Sequence, residues 1–470
     1  MVLEGLKKGG KGYYISNGIL CVVGYVINKA ISFFMIPILT RMMPTADYGR
    51  VNTYTAWLAI LAYIMGLALE YSIRTAFVDH KGQFERHISA VCSLSLLNLL
   101  VTGSIVFVAN KFVIKQGNDL ICIFCILHAY VYAVINYFNI KFTMLEQYMK
   151  RLALLLIPNL VSAVLSVILI ANFSEAKYMG RIWGYVLIFV PLGIALILYQ
   201  YRKSYCLFDR ELWKYGLTIS IPMIFHGLST VVLSSSDRII ISIFRGDSET
   251  GIYSLVYNFI MVIVAVFNAL ENVWLPWFTK KMQQNAYQKI NQMAAYYLQL
   301  VAVMVCGLLL VSPEIITIMA TSEYRAGRTL LVPLICSSLF IFLYSLSVST
   351  EIYYKKTKNV AVNTMCVAIF NIVFDIIFVR KYGIAAAAYV TLISYALSFG
   401  GHYICAKKLN PELFPFKNYI FPLFYVALIC AVSTLLMDKA LIRWIIAAVI
   451  GILYLVYAYF KFFKNKDCFK

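Results

Sequence analysis

Long apolar runs separated by short charged connections organise this chain. Fourteen such runs can be marked, at 13–39, 51–73, 87–110, 119–140, 152–172, 180–200, 215–236, 252–276, 292–312, 329–350, 359–379, 383–405, 418–437 and 441–461. A helix needs about 20 mostly apolar residues to cross a bilayer, so each run predicts one membrane-spanning helix. Barrel strands would instead be about 10 residues of alternating polarity. The pattern therefore predicts an all-α integral membrane protein of about 14 helices.

Composition agrees. The chain has 470 residues, 62% hydrophobic and only 13% charged, with a mean hydropathy of +0.79. Soluble domains are about 25% charged. The net charge of +20 is scattered in small groups between the runs, with no basic stripe. It therefore reads as membrane orientation rather than nucleic-acid binding. With the N-terminus placed inside, and with Arg181 and Arg443 at the edges of their runs counted with the adjoining outer segments, each inner segment carries three or four Lys or Arg and each outer segment two. The bias predicts that both termini are cytoplasmic. The basic N-terminus leads into a run reaching about Leu39 without a small-residue cleavage site, so it reads as an uncleaved first helix. The eleven Cys mostly lie inside apolar runs and read as small buried hydrophobes. Cys122 and Cys125 form a CxxC, but no second pair completes a zinc set. No metal or cofactor is expected.

Two positions hint at internal duplication. Pro44-Thr-Ala-Asp-Tyr-Gly49 precedes the second run and Asp247-Ser-Glu-Thr-Gly251 the eighth, with the glycines 202 positions apart. Gly180 and Gly383 open the sixth and twelfth runs, 203 apart. Two six-helix repeats plus an added pair account for both offsets. The expected organisation is a lobe at 1–200, a cytoplasmic linker at 201–214, a second lobe at 215–407 and an additional helix pair at 418–463. Transporters are commonly built from such repeats, with the site between them. Gly180-x-x-x-Gly184 is expected to serve close helix contact within the first lobe.

Three segments resemble one family. Phe34-Met-Ile-Pro-Ile-Leu-Thr-Arg41 with Pro44–Gly49 resembles the opening of the polysaccharide (O-antigen type) flippases. Gly66-Leu-Ala-Leu-Glu70-Tyr-Ser-Ile-Arg74 resembles the end of their second helix, and Lys381-Tyr-Gly383 through Ala388 the start of their twelfth. These flippases belong to the multidrug/oligosaccharidyl-lipid/polysaccharide (MOP) exporter superfamily. The resemblance implies a transporter rather than an enzyme, in the bacterial cytoplasmic (inner) membrane. Its implied substrate is an undecaprenyl-pyrophosphate-linked oligosaccharide, moved to the outer leaflet by alternating access. It also implies contact with bilayer lipids, association with glycan polymerase or ligase machinery, and a lipid-tail groove formed with residues 418–461. Two alternatives remain: a cation-coupled multidrug exporter of the same superfamily, and a membrane glycan polymerase or ligase. The first predicts acidic cavities. The second predicts a long outer loop, and no connection here exceeds about 20 residues. The chain has no Walker A loop, GxSxG or HExxH.

Ionisable groups at membrane depth are costly and mark candidate sites. Lys29, beside Asn28, lies mid-helix. It either holds pyrophosphate in a cavity, or snorkels or pairs with an acid. Arg74 is either the partner of Glu70 at i, i+4 or an entrance arginine for pyrophosphate. Arg41 offers a similar choice at the outer mouth. On the seventh run His226 and Thr230 share a face, below Pro222 and above Asp237, and could bind sugar or protons. Asp375 with Asn371 is a candidate ion-coupling site on the eleventh run. Glu271 and Glu351 are expected near the headgroups.

Overall fold

The computed structural model describes residues 11–114 and 116–460; the side chains of 11–23, 25 and 226 lie outside that description. Lys7 and Lys8 of the charge pattern therefore fall outside it. Every apolar run becomes helical, and no strand occurs among the described residues. The helices are α1 (Lys11–Met42), α2 (Thr45–Gly66), α3 (Glu70–Asp79), α4 (Phe84–Ala109), α5 (Asp119–Met144), α6 (Tyr148–Asn172), α7 (Lys177–Lys203) and α8 (Arg210–Arg245). They continue with α9 (Asp247–Gln283), α10 (Tyr287–Met319), α11 (Leu331–Tyr353), α12 (Thr357–Tyr382), α13 (Ile384–Leu409), α14 (Lys417–Leu435) and α15 (Ala440–Ala458). Together α2 and α3 occupy the second run, and from Thr45 onward thirteen helical segments among the described residues are long and apolar enough to cross a membrane. Most helices overrun the apolar stretches by a turn, because polar first and last turns lie at headgroup depth where hydropathy ends but helix geometry does not.

Contacts divide the chain into two compact units, residues 1–251 and 252–470. In the first, α1 packs on α6, α6 on α7, and α2 between α5 and α8. Gly184 abuts Ser166, and a Cβ on Gly180 would press on the backbone of Leu169 and Ile170. The Gly180-x-x-x-Gly184 face thus lets α7 approach α6 closely, as expected of small-residue packing. At one end of this unit Lys141 is buried. Its Nζ donates to Glu85 at 2.7 Å and to Gln200 at 2.6 Å, while Lys203 reaches the other Glu85 oxygen at 2.6 Å. The charge count places Lys141 in a loop. The structure instead makes it the tie between α4, α5 and α7.

At the other end the two similar glycine-bearing turns, at 44–49 and 247–251, meet. Thr45 and Ser248 hydroxyls lie 2.7 Å apart, and Arg50 Nε donates to Asp247 Oδ2 at 2.8 Å. A Cβ on Gly49 would overlap the Asp247 carbonyl oxygen, and one on Gly251 the Thr45 carbonyl oxygen. The glycines that define the 202-residue offset are therefore the close-approach points of the N-termini of α2 and α9.

In the second unit α13 packs on α11 and α12, and α10 carries α14 and α15. Ser394, Ser398 and Gly401 keep α13 narrow where it meets its neighbours. Glu351, expected near the headgroups, is fully buried and 2.7 Å from His402 Nδ1. A buried carboxylate needs a partner, and only the fold brings α13 to supply one. Arg443 is the single fully buried side chain of α15. Its guanidinium meets the Glu314 carboxylate of α10 and the carbonyls of Leu310, Leu436 and Met437. Replacing Arg443 with alanine leaves those acceptors unmet. Breaking a buried pair costs about 3–5 kcal/mol. The expected result is a lowered unfolding temperature, with disulfide trapping between cysteines placed on α15 and α10 lost. Trapping at the wild-type level would show that lipid contacts alone hold α15.

Candidate functional site

The second crossing is interrupted. Helix α2 ends at Gly66, and Leu67 and Ala68 both take φ of 48°, in the left-handed region. Broken backbone at membrane depth is tolerated only where protein satisfies its polar groups. Two side chains do so. Asn98 Nδ2 of α4 donates to the carbonyls of Ile64 at 2.8 Å and Met65 at 2.9 Å. The Tyr137 hydroxyl of α5, wholly buried, donates to the Gly66 carbonyl at 2.6 Å. Gly66 is required because a Cβ there would press on Ala133. Helix α3 restarts at Glu70 and so presents an N-terminus, with its partial positive charge, inside the bundle.

Next to this break lies a cavity of about 340 Å³ within the first unit. Tyr63 comes from α2, while Glu70, Tyr71 and Arg74 come from α3. Asn136 and Asn139 come from α5, Tyr148 and Arg151 from α6. Two guanidiniums face one carboxylate, so the wall is net cationic. Arg74 is exposed and makes no salt bridge with Glu70. Its guanidinium lies 5.8 Å from the centroid of the Tyr71 ring. The expected i, i+4 pair is thus not formed, which leaves Arg74 directed at the cavity wall. Asn139 Oδ1 is buried with no partner. Tyr63 also fills the gap above Gly227 of α8. Two arginines can engage phosphate oxygens bidentately, while amides and phenols match hydroxyl groups.

The other expected residues are dispersed. Lys29 is exposed on α1, Asn28 is half-buried, and neither lines this cavity. Gly24 meets Leu152 of the cavity wall, and Lys29 lies five residues further on, about 7.5 Å along the helix axis. Arg41 is exposed near the end of α1. The Thr230 hydroxyl donates to its own helix, at Gly227. Asp237 is buried in α8, and the His226 side chain lies outside the described residues. Asn371 and Asp375 are fully buried one turn apart on α12. Arg151, Asn136 and Asn139 went unforeseen. A basic residue in the first turn of a helix reads from sequence as a surface charge, and no local pattern marks a cavity wall.

A discontinuous helix beside a cationic cavity, in an all-α chain of many membrane-length helices, is a construction that membrane transporters use. Residues 15–282 match the family described as polysaccharide biosynthesis protein. This chain belongs to that family. In sequence it is 19% identical over 357 residues to the Lsg locus putative protein 1 of Haemophilus influenzae, covering 73% of this chain and 86% of that one. In fold it resembles the lipid II flippase MurJ in an inward closed conformation, at a TM-score of 0.71 and 16% identity, over 94% of this chain and 99% of that one. An inward-facing MATE-family multidrug transporter of the MOP superfamily superposes less closely, at a TM-score of 0.56 and 14% identity, over 83% and 99% of the two chains. The chain is a multi-pass bacterial membrane protein.

Proposed function

We propose that this protein flips an undecaprenyl-pyrophosphate-linked oligosaccharide from the cytoplasmic to the outer leaflet of the inner membrane, with both termini cytoplasmic. The substrate would be the repeat unit of an O-antigen, capsule or exopolysaccharide. The cavity beside the α2–α3 break carries the reading. Arg74 and Arg151 supply the charge for a pyrophosphate, and the surrounding amides and tyrosines supply partners for the first sugars. The net positive wall suits an anionic substrate and is unlike the acidic cavity expected of a cation-coupled drug exporter. Lys29 and Asn28 are proposed as a second cationic station further along α1, and Arg41 as a third at the outer mouth. Asp237, Asp375, Asn371, Thr230 and His226 are proposed as ion-coupling or sugar-contacting groups. Two six-helix lobes, 1–200 and 215–407, joined by 201–214, would rock around the substrate.

The lipid tail is proposed to lie along an apolar groove of about 350 Å³ in the second unit, where Leu270, Val273 and Trp277 of α9 face Tyr297 and Leu300 of α10 and Tyr454 of α15. The 418–463 pair would then serve the tail rather than the headgroup. The protein would act beside the polymerase or ligase that uses the flipped unit.

A deletion strain tests this reading. Lipid-linked repeat units are expected to accumulate on the cytoplasmic leaflet, and the cloned gene to relieve the accumulation. Units collecting unpolymerised on the outer leaflet would overturn the reading in favour of a polymerase or ligase. A drug-sensitivity phenotype with normal glycan would overturn it in favour of an exporter.

A further inference from the structure

A second cavity, of about 460 Å³, lies at the other end of the first unit, beside the N-termini of α2, α5 and α7. It falls within the size range of small-molecule sites, about 300–1,000 Å³. Its walls are unlike those of the cationic cavity. Arg50 is present, but its guanidinium is bound by Asp247 at 2.8 Å, and Asp247 also accepts from Ser242 at 2.9 Å. That corner is electrically balanced. The remaining polar groups are neutral: Thr53, Gln116, Asn110 and Asn118.

Two of these groups lack partners. Thr53 is only 6% exposed, and its hydroxyl is buried without a hydrogen bond. Gln116 accepts from the Trp57 indole NH through its Oε1, while its Nε2 is buried and unbonded. A buried donor left unmet costs about 1–3 kcal/mol, so two at one cavity mark a place made for a hydrogen-bonding guest. The rings around it are held in place. The Tyr54 hydroxyl is tied to His128 Nδ1 at 3.1 Å, and Tyr178 carries the Arg50 guanidinium 4.9 Å from its ring centroid. Trp57, oriented by Gln116, is the ring that remains to be stacked on.

We propose that this cavity is a neutral-sugar subsite, in which Thr53 and the Gln116 amide bond the hydroxyls of one uncharged pyranose and Trp57 stacks on its apolar face. A neutral amide, a hydroxyl and an aromatic face together match a pyranose, which offers hydroxyls around its edge and C–H groups on its face. Among the described lining residues a phosphate would find no unpaired cation, and an acyl chain would leave both polar groups unmet. The assignment rests on the proposed flippase function, because on that reading the cavity end is the outer one. The glycan portion of the substrate would be held there as it leaves, while the pyrophosphate is bound elsewhere.

The test is saturation-transfer NMR on the purified full chain in nanodiscs. The probes are methyl glycosides of glucose, galactose, mannose, rhamnose and N-acetylglucosamine, with glucuronic acid and octanol as controls. At least one neutral glycoside is expected to receive saturation on its ring protons, with little for the two controls. Thr53→Val and Gln116→Ala are each expected to weaken binding at least tenfold. Thr53→Ser should retain it, and Trp57→Leu should abolish it. Transfer to no neutral glycoside would identify the cavity as a hydrated void and overturn the proposal. Transfer to octanol alone would identify a lipid pocket, and unaltered binding in all the variants would place the sugar elsewhere; either also overturns it. The deletion-strain result is independent of these outcomes. Normal rescue without sugar binding removes the subsite and leaves the flippase reading intact. Sugar binding without a glycan phenotype does the reverse.

Discussion

Replacing Arg74 and Arg151 together with alanine is expected to abolish surface glycan while leaving the protein in the membrane. Both residues line the cavity beside the broken helix, and neither is part of the packed core. Hydrogen bonds to charged groups are worth about 1.5–3 kcal/mol each. Losing two such partners therefore removes about 3–6 kcal/mol of substrate affinity, or about 10²–10⁴-fold, at 1.4 kcal/mol per decade. Each single alanine should retain partial transport. Lysine at either position should recover less than arginine, because an ammonium is a point charge without the planar fork. The measurement is surface glycan per unit of membrane-inserted protein. Wild-type glycan in the double variant would move the pyrophosphate site away from this cavity, with Lys29 as the next residue to replace.

Gly49→Ala is expected to separate the paired N-termini of α2 and α9. An alanine Cβ would overlap the Asp247 carbonyl oxygen, and backbone cannot yield as a flexible side chain can. Relief requires the turns to part, which breaks the Thr45–Ser248 and Arg50–Asp247 bonds. Overpacking of this kind costs about 1–3 kcal/mol, enough to shift a two-state population by about 5–150-fold. Disulfide trapping between cysteines at positions 45 and 248 reads the outcome directly, and its yield should fall by at least about fivefold. Gly82→Ala is the control, since no atom lies within 4 Å of a Cβ there. Equal yields in the two variants would show that the turns already part freely. Transport should fall with the trapping yield if closure of this end is part of the cycle.

All fourteen helical runs were legible in the chain, because partition into a bilayer depends on the local run of side chains. The 202-residue offset was also legible, as a repeated acidic turn ending in glycine. That Gly49 and Gly251 touch was not, since a repeat does not say that its copies meet. The site was only partly legible. Arg74 stood out as a charge at the end of an apolar run, and its spacing from Glu70 suggested a helix pair. The fold instead set Arg74 in a wall shared with α2, α5 and α6, and nothing in Gly-Leu-Ala-Leu announced the break.

The sequence by itself therefore determined the class of the protein, the number of its long apolar helical runs and a consistent charge bias between them. These follow from one-dimensional quantities: hydropathy, charge and spacing. Tertiary structure alone decided where the backbone opens. The carbonyls released at Ile64, Met65 and Gly66 are met by Asn98 and Tyr137 from two other helices. The fold likewise decided that Lys141, Glu351 and Arg443 are buried. A charge in an apolar helix can be kept only if another element brings its partner, and that pairing exists only once the helices are packed.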